Sequence, residues 1–383
     1  MITINNKEKC CGCESCRQAC PKKCIQMKRD KEGFLYPQID ESKCISCGLC
    51  DKVCPEQLQK EELSSAHEIK AYGGHHTDNE ILKYSSSGGA FSLFANYILK
   101  QGGIVFGCEL DKEMHARHVG VENIIELDKL RGSKYLQSEI GETYVEVKKA
   151  VEEGRMVLFV GTPCQTAGLY SFIGKKNYDN LWMIDFICHG VPSPKIFEEY
   201  VKEEENKNKG KMTSYRFRNK DHGWSQTGLQ LGTWARFSSG KEIRRYPALK
   251  DPYMNGFLAD LYLRPSCYSC NFKQIAKEYA DITIGDFWGV NKIAKELNDK
   301  KGTSLILIHS QKGNDLWRRV NSQFIFKEID YNAVIKYNPP IINSSKRNAQ
   351  RDLFFQNYYV KGYKYVMRKY MTAFSWLCNR LKA

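Results

Sequence analysis

Residues 10–21 read "CCGCESCRQACP" and residues 44–55 read "CISCGLCDKVCP". Each holds the run C-x2-C-x2-C-x3-C-P, and nothing else in the chain restricts its folding so tightly. Three thiols on one tight loop can cap one face of a cubic iron–sulfur core. The fourth, followed by proline, is carried off toward the core held by the other run. The spacing therefore assigns Cys10, Cys13, Cys16 and Cys54 to one 4Fe-4S cluster, and Cys44, Cys47, Cys50 and Cys20 to a second. The proline is expected to start a helix leading between the two. A pair of zinc knuckles is the competing reading, but zinc sites collect ligands in pairs rather than from two four-cysteine runs. Cys11 and Cys24 stand outside the pattern and read as spare thiols.

This module, residues 1–60, resembles a two-cluster bacterial ferredoxin. Between its runs, "GFLYPQID" reads as the strand that pairs the two halves, and "EQLQKEELSSAHEIK" reads as a polar linker. Sixteen cysteines in 383 residues need a purpose. The start "MITINNKEKC" has no apolar core of a signal peptide, so a reducing, cytoplasmic setting is expected, where clustered cysteines bind metal rather than pair as disulfides. No apolar stretch is long enough to span a bilayer. The net charge of +14 is spread along the chain without a helix-turn-helix or zinc-finger pattern, which argues against nucleic acid as a partner. Its densest part is the tail, residues 346–383, where Asp352 is the only acid. An acidic redox partner or an anionic membrane surface suits that tail better than DNA does.

Residues 70–345 alternate strand-like and helix-like segments. The fold class expected is α+β, an N-terminal two-cluster ferredoxin-like domain followed by a mixed α/β domain. "GGIVFGCEL" (102–110), "MVLFVG" (156–161), "LWMIDFIC" (181–188) and "DITIGDF" (281–287) read as buried strands. "SSGGAFSLFANYILKQ" (86–101) reads as an amphipathic helix with Phe91, Phe94, Ala95 and Ile98 on one stripe. Its small residues leave a helix N-terminus bare enough for a phosphate, although serine is also an ordinary cap. "RGSKYLQS" (131–138) offers Lys134 between Ser133 and Tyr135, either as a phosphate neutraliser or as a solvated loop lysine.

Cys164 follows one predicted strand in "TPCQ", Cys188 follows another in "CHGVPSP", and Cys267 and Cys270 form the pair "CYSC". The pair alone could be a redox dithiol, half a zinc site or half a cluster site. Turns at the carboxyl ends of α/β strands collect ligands, and these four thiols make the number that a third cubane needs.

The order "SSSGGAF", "RGSKY", "LFVGTPCQ", "CHG", "CYSCNF", "ADITIGDFWG" resembles the beta-subunit family of coenzyme F420 hydrogenases and dehydrogenases, whose relatives include 7-hydroxymethyl chlorophyll a reductases. The likeness runs to about residue 310. It implies an FAD-binding domain with its own 4Fe-4S cluster beside the isoalloxazine ring, hence three clusters and one flavin. Ser86, Ser87, Gly88 and Gly89 would lie against the FAD, the two glycines letting backbone approach its diphosphate, and Ser133, Lys134 and Tyr135 would close on it. Asp286, Phe287 and Trp288 would lie near the cofactors, and His189 would tune the cluster or relay a proton as the catalytic residue. His222 is a second histidine of interest. Members with a fused ferredoxin, encoded among cell-surface polysaccharide genes, resemble this chain more than the archaeal hydrogenase subunits do. "CHGVPSP" and the tail depart from those subunits.

The function expected is an iron–sulfur flavoprotein oxidoreductase acting on an unidentified small molecule or glycan. Its electrons would come from a redox partner protein or small donor. The alternatives are a true deazaflavin oxidoreductase and an adaptor feeding a partner enzyme, docked through Lys22, Lys23, Lys28 and Arg29 and the tail. The aromatic tail segment is expected to pack on the core, with peripheral membrane contact as the competing reading.

Overall fold

The computed structural model describes residues 6–57, 69–224, 231–275 and 279–371. Most of the polar linker and the end of the tail, with Phe374 and Trp376, lie outside the described residues. In the amino-terminal module β1 (Ile25–Arg29) pairs antiparallel with β2 (Leu35–Ile39), the segment expected from "GFLYPQID". The short helices correct one expectation. Ser15–Gln18 and Leu49–Lys52 come before the fourth cysteine of each run; a turn follows at Pro21, whereas Pro55 opens a short 3-10 helix, Pro55–Gln57. Proline's fixed φ suits both places: at Pro55 it opens a short helix as expected, and at Pro21 the chain bends instead of starting one.

The larger domain is built on eight strands: β3 (Lys70–His76), β4 (Ile104–Leu110), β5 (Ala116–Val121), β6 (Val157–Gly161), β7 (Leu181–Phe186), β11 (Ile282–Asp286), β12 (Ser304–Ile308) and β13 (Phe324–Ile329). Their order is β13-β3-β12-β11-β7-β6-β4-β5. The central strands β11, β7, β6 and β4 run parallel, and the strands on either side are antiparallel. A second sheet, β10-β9-β8, holds β8 (Met212–Asn219), β9 (Gly232–Phe237) and β10 (Glu242–Arg245).

The parallel strands are the four apolar runs picked out by sequence, because strands covered on both faces have no polar side to show. Along β6, Val157 and Phe159 face one layer while Leu158 and Val160 face the other. On the Leu158 side lie α1 (Ala90–Lys100) and α5 (Gln311–Val320), contributing Leu93, Phe94, Ile98, Leu316 and Trp317. On the other side lie α2 (Thr143–Glu152) and α3 (Pro163–Phe172), contributing Tyr144, Val147 and Leu169. Helix α1 begins later than expected, because Gly89 caps it in the left-handed region at φ +87. Phe94, Ala95 and Ile98 are buried as predicted, whereas Phe91 turns to the wall of a cavity.

Helix α4 (Pro194–Asn208) and the second sheet carry an aromatic core, and α6 (Arg351–Tyr370) packs into it. Phe354, Phe355, Val366 and Tyr370 are buried there, with a break at Gly362 where the chain leaves helical angles. The described part of the tail thus spends most of its aromatics on packing, although Val360 is 81% exposed. No helix among the described residues is long and apolar enough to cross a membrane.

Phe354→Ala should open a cavity under α6 and cost about 3–5 kcal/mol, as truncation of a buried phenylalanine does. Chemical denaturation followed by tryptophan fluorescence measures it. Val360→Ala, at an exposed position of the same helix, should stay within about 0.5 kcal/mol of wild type.

Candidate functional site

The cysteines gather into three groups. Cys16 lies within electrostatic reach of Cys13, Cys10 and Cys54, so the fourth thiol comes from the other run. The reciprocal group, Cys20, Cys44, Cys47 and Cys50, lines one small recess, with Cys24 beside it at 3.3 Å from Cys20. In the third group Cys188 lies within electrostatic reach of Cys267, Cys164 and Cys270. Burial pushes the thiols of Cys54 and Cys267 up to about 12 and that of Cys270 to about 11. Such groups are poor thiolates alone and need a cationic core beside them to ionise. Among the described residues, no three His, Cys, Asp or Glu gather closely enough to hold a single metal ion.

Local structure explains the third group. Thr162 and Gln165 form a capping box on α3, with Pro163 in its first turn, which places Cys164 just past the end of β6. Thr162 Oγ1 is 3.1 Å from Cys164 Sγ. The segment after β7 bridges to Leu263 at Pro192, and Val191 N–H donates to Cys267 Sγ at 3.4 Å. Gly190 lets the two segments close, since a Cβ there would meet Leu263 at 2.8 Å and Cys267 at 3.3 Å.

Cys11, expected to be a spare thiol, is buried between groups one and three. Its hydrogen bonds to Cys13 and Cys164, with burial, hold its pKa well above the ordinary value. The two groups are neighbours because the ferredoxin module is clamped onto the larger domain. Wholly buried Arg264 donates to the carbonyls of Cys10 at 2.8 Å and Leu35 at 2.9 Å and to Gln137 Oε1 at 2.8 Å, with its guanidinium over Tyr36. Arg17 pairs with Glu142 at 2.6 Å, Ser15 Oγ donates to Gly168 O at 2.9 Å, and Arg351 pairs with Glu32.

Beside group three, at the carboxyl ends of the parallel strands, lies a cavity of about 1410 Å³. Cys188, His189, Ser86, Ser87, Gly89, Ser133, Lys134 and Tyr135 all border it. Gly88 does not. A Cβ on it would strike Gly74 O and Ser304 N at 2.5 Å, and one on Gly89 would meet His76 at 3.1 Å and Ile81 at 3.2 Å. Neighbouring backbone leaves Gly88 no room for a side chain and it stands off the cavity, which corrects its expected place against the ligand, while Gly89 lies on the cavity wall. Ser87 Oγ donates to Thr303 O at 2.8 Å, and Ser86 Oγ meets the Ser133 N–H at 2.8 Å and the Ser133 hydroxyl at 3.0 Å. Lys134 is not a solvated loop lysine. Burial pulls its pKa down to about 8, and its ammonium donates to the carbonyls of Lys129 at 3.0 Å and Arg131 at 2.9 Å. Tyr135 stacks on Phe257 with centroids 4.8 Å apart.

His189 Nε2 is 2.5 Å from Asp260 Oδ1 on the cavity wall. His222 is exposed, stands against Tyr246 and does not border the cavity. Asp286 and Trp288 border it, and Phe287 turns into the core. Sequence reasoning missed Arg218, which pairs with Asp286, and His118, whose ring nitrogens meet Val160 O at 3.1 Å and Ser138 Oγ at 3.1 Å. Burial lowers the His118 pKa to about 4, so it stays neutral at pH 7. Neither stands in a motif, since each is placed by sheet register alone.

Residues 154–332 match the family described as the C terminus of the coenzyme F420 hydrogenase/dehydrogenase beta subunit. Residues 9–58 match a 4Fe-4S dicluster domain, and residues 39–84 match a 4Fe-4S single-cluster domain of the ferredoxin I kind. The chain is thus similar to a 4Fe-4S dicluster domain over residues 9–58 and to the C terminus of an F420 hydrogenase/dehydrogenase beta subunit over residues 154–332. Among solved structures it is similar to one of the xenon-derivatised F420-reducing NiFe hydrogenase complex from Methanosarcina barkeri, at 20% identity and a TM-score of 0.45, covering 73% of this chain and 95% of that one. No curated protein matches. The beta-subunit match ends just after β13 and α6 falls beyond it, so the packed tail helix is an addition to the matched region.

Arg264→Met should leave buried carbonyls of Cys10 and Leu35 without donors and weaken the clamp by about 2–5 kcal/mol. Thermal unfolding should show a lower midpoint, with the ferredoxin module becoming protease-sensitive first.

Proposed function

We propose that this protein is an iron–sulfur flavoprotein oxidoreductase. Its thiol groups would hold three 4Fe-4S clusters and its cavity would hold FAD beside a second, small-molecule ligand. The observation that carries the reading is the position of Cys188, which belongs to the third thiol group and also borders the cavity. A protein that only relays electrons between partners needs no such cavity, and at about 1410 Å³ it exceeds the roughly 300–1,000 Å³ of an ordinary small-molecule pocket. Clusters carry single electrons, and flavin exchanges one or two.

The chain's own residues supply the rest. The α1 N-terminus, with Gly89 as a cap that offers no side-chain bond, leaves N–H groups for a phosphate, and Arg131 and Lys134 add positive charge on the same wall. His189, oriented by Asp260, is placed to hold a proton at its ring on the side where Cys188 meets the cavity. Groups one and three meet across Cys11, so clusters held by them would be neighbours and would supply single-electron transfer toward the cavity. The second ligand is a small molecule or glycan. Coenzyme F420, named in the description of the matching family, is one substrate to test.

Anaerobically purified or reconstituted protein should carry about twelve iron and about twelve acid-labile sulfide per chain. Cys267→Ser should remove about four of each and leave the ferredoxin pair. About eight iron in the wild type, unchanged by that substitution, would sink the third cluster.

Flavin retention should depend on pH. Lys134 is depressed in the folded chain, so its proton is held weakly, and a bound diphosphate would favour the charged form. Affinity should be level below about pH 8 and fall above it, as the ligand-free lysine loses its proton. Lys134→Met should flatten that profile, as measured by flavin released through ultrafiltration.

A further inference from the structure

The two ferredoxin-type thiol groups differ in what surrounds them. Group one lies under the larger domain, with Cys13 and Cys16 buried. Group two stands at the surface. Cys47 is exposed, and on the same recess Ile45 is 57% and Leu49 is 39% exposed. The loop between them is held outward by Ser46 and Gly48 in left-handed conformations, and a Cβ on Gly48 would meet nothing within 4 Å.

Lys22 lines this apolar centre, and Lys23 and Lys52 lie within two residues of its lining in sequence. Lys22, on the wall of the recess, and exposed Lys23 and Lys52 make no ion pair with any acid among the described residues. Lys43 is held by Asp40 at 2.8 Å, and Glu41 and Asp51 are the other acids of the loop. The docking face expected from sequence is corrected at one residue. Arg29 bonds to Glu139 at 2.9 Å and also to Glu198, so it fastens the module to the larger domain and is spent there.

We propose that the face formed by Ile45 and Leu49 around Cys47, with Lys22 lining it and Lys23 and Lys52 close to its lining in sequence, is the docking surface for an acidic one-electron carrier protein. It rests on the cluster reading given above and adds where, and to what, the molecule opens. Electron-transfer partners meet through small interfaces, below about 1,200 Å², with an apolar centre and a charged rim that steers encounter. A chain of net charge +14 attracts an acidic partner from a distance. The step is a bare electron transfer. The reduced carrier loses one electron, the outer cluster gains it, and no bond or proton changes place.

The test is stopped-flow absorbance on the full, cluster-loaded chain under anaerobic conditions. One arm uses a reduced acidic 2Fe-2S ferredoxin as donor, and a second uses dithionite. In a third, the reduced chain is mixed with basic cytochrome c as acceptor. The rate with ferredoxin should fall as salt rises, and should drop about tenfold in Lys22→Glu/Lys23→Glu at low salt. In Ile45→Ser/Leu49→Ser it should drop at every salt concentration. Dithionite rates and iron content should match wild type in both variants. Unchanged ferredoxin rates in both variants, or faster exchange with cytochrome c than with ferredoxin at low salt, would overturn the proposal. Iron content unchanged by Cys47→Ser would overturn the cluster reading instead, and this proposal with it.

Discussion

Arg264 lies wholly out of water just ahead of Cys267, and its guanidinium reaches the carbonyls of Cys10 and Leu35 and the amide of Gln137. A cation in that position costs several kcal/mol unless all of these partners are in place. The first cysteine loop and the turn bearing Cys267 are therefore fixed relative to each other by one side chain. Gly12 completes the fit, because a Cβ there would come within 2.7 Å of Arg264 and of Gln137. The meeting of groups one and three around Cys11, and the place of Cys188 beside the cavity, both depend on that clamp.

The sheet supplies the other fixed frame. β6, β7 and β11 run parallel and end on one side, so the turns bearing Cys164 and Cys188 and the end of β11 at Asp286 converge. Backbone there is free of ladder bonds and open to solvent, which is why ligands gather at such edges. Capping fixes the directions. Thr162 and Gln165 set Cys164, and the short bridge at Pro192 sets Cys188 against Cys267.

Much of this was legible in the residues. The cysteine spacing anticipated how Cys54 and Cys20 exchange partners, because covalent reach leaves few alternatives. The doubly covered strands were legible because burial on both faces leaves a continuous apolar run, as in "VLFVG". β13 was not, since it is buried only at its ends, and β3 carries glycines and histidines that read as loop. The site was harder to read. Arg218, His118 and Asp260 come from distant segments whose meeting depends on register, which no local pattern encodes. Gly88 looked like an approach to a ligand and is instead demanded by the neighbouring strands, whereas Gly89 does border the cavity. Cys11 looked isolated because its place between groups one and three comes from a contact between domains.

The clamp also changes what the connecting chain has to do. Residues 58–68 join the module to the larger domain covalently, but Arg264, Arg17, Ser15 and Arg351 already hold the two together across their surfaces. With that many specific bonds the tether is needed mainly to raise local concentration. A molecule of this design could be delivered as two separate polypeptides that find each other, and the fused and split forms would carry the same internal geometry.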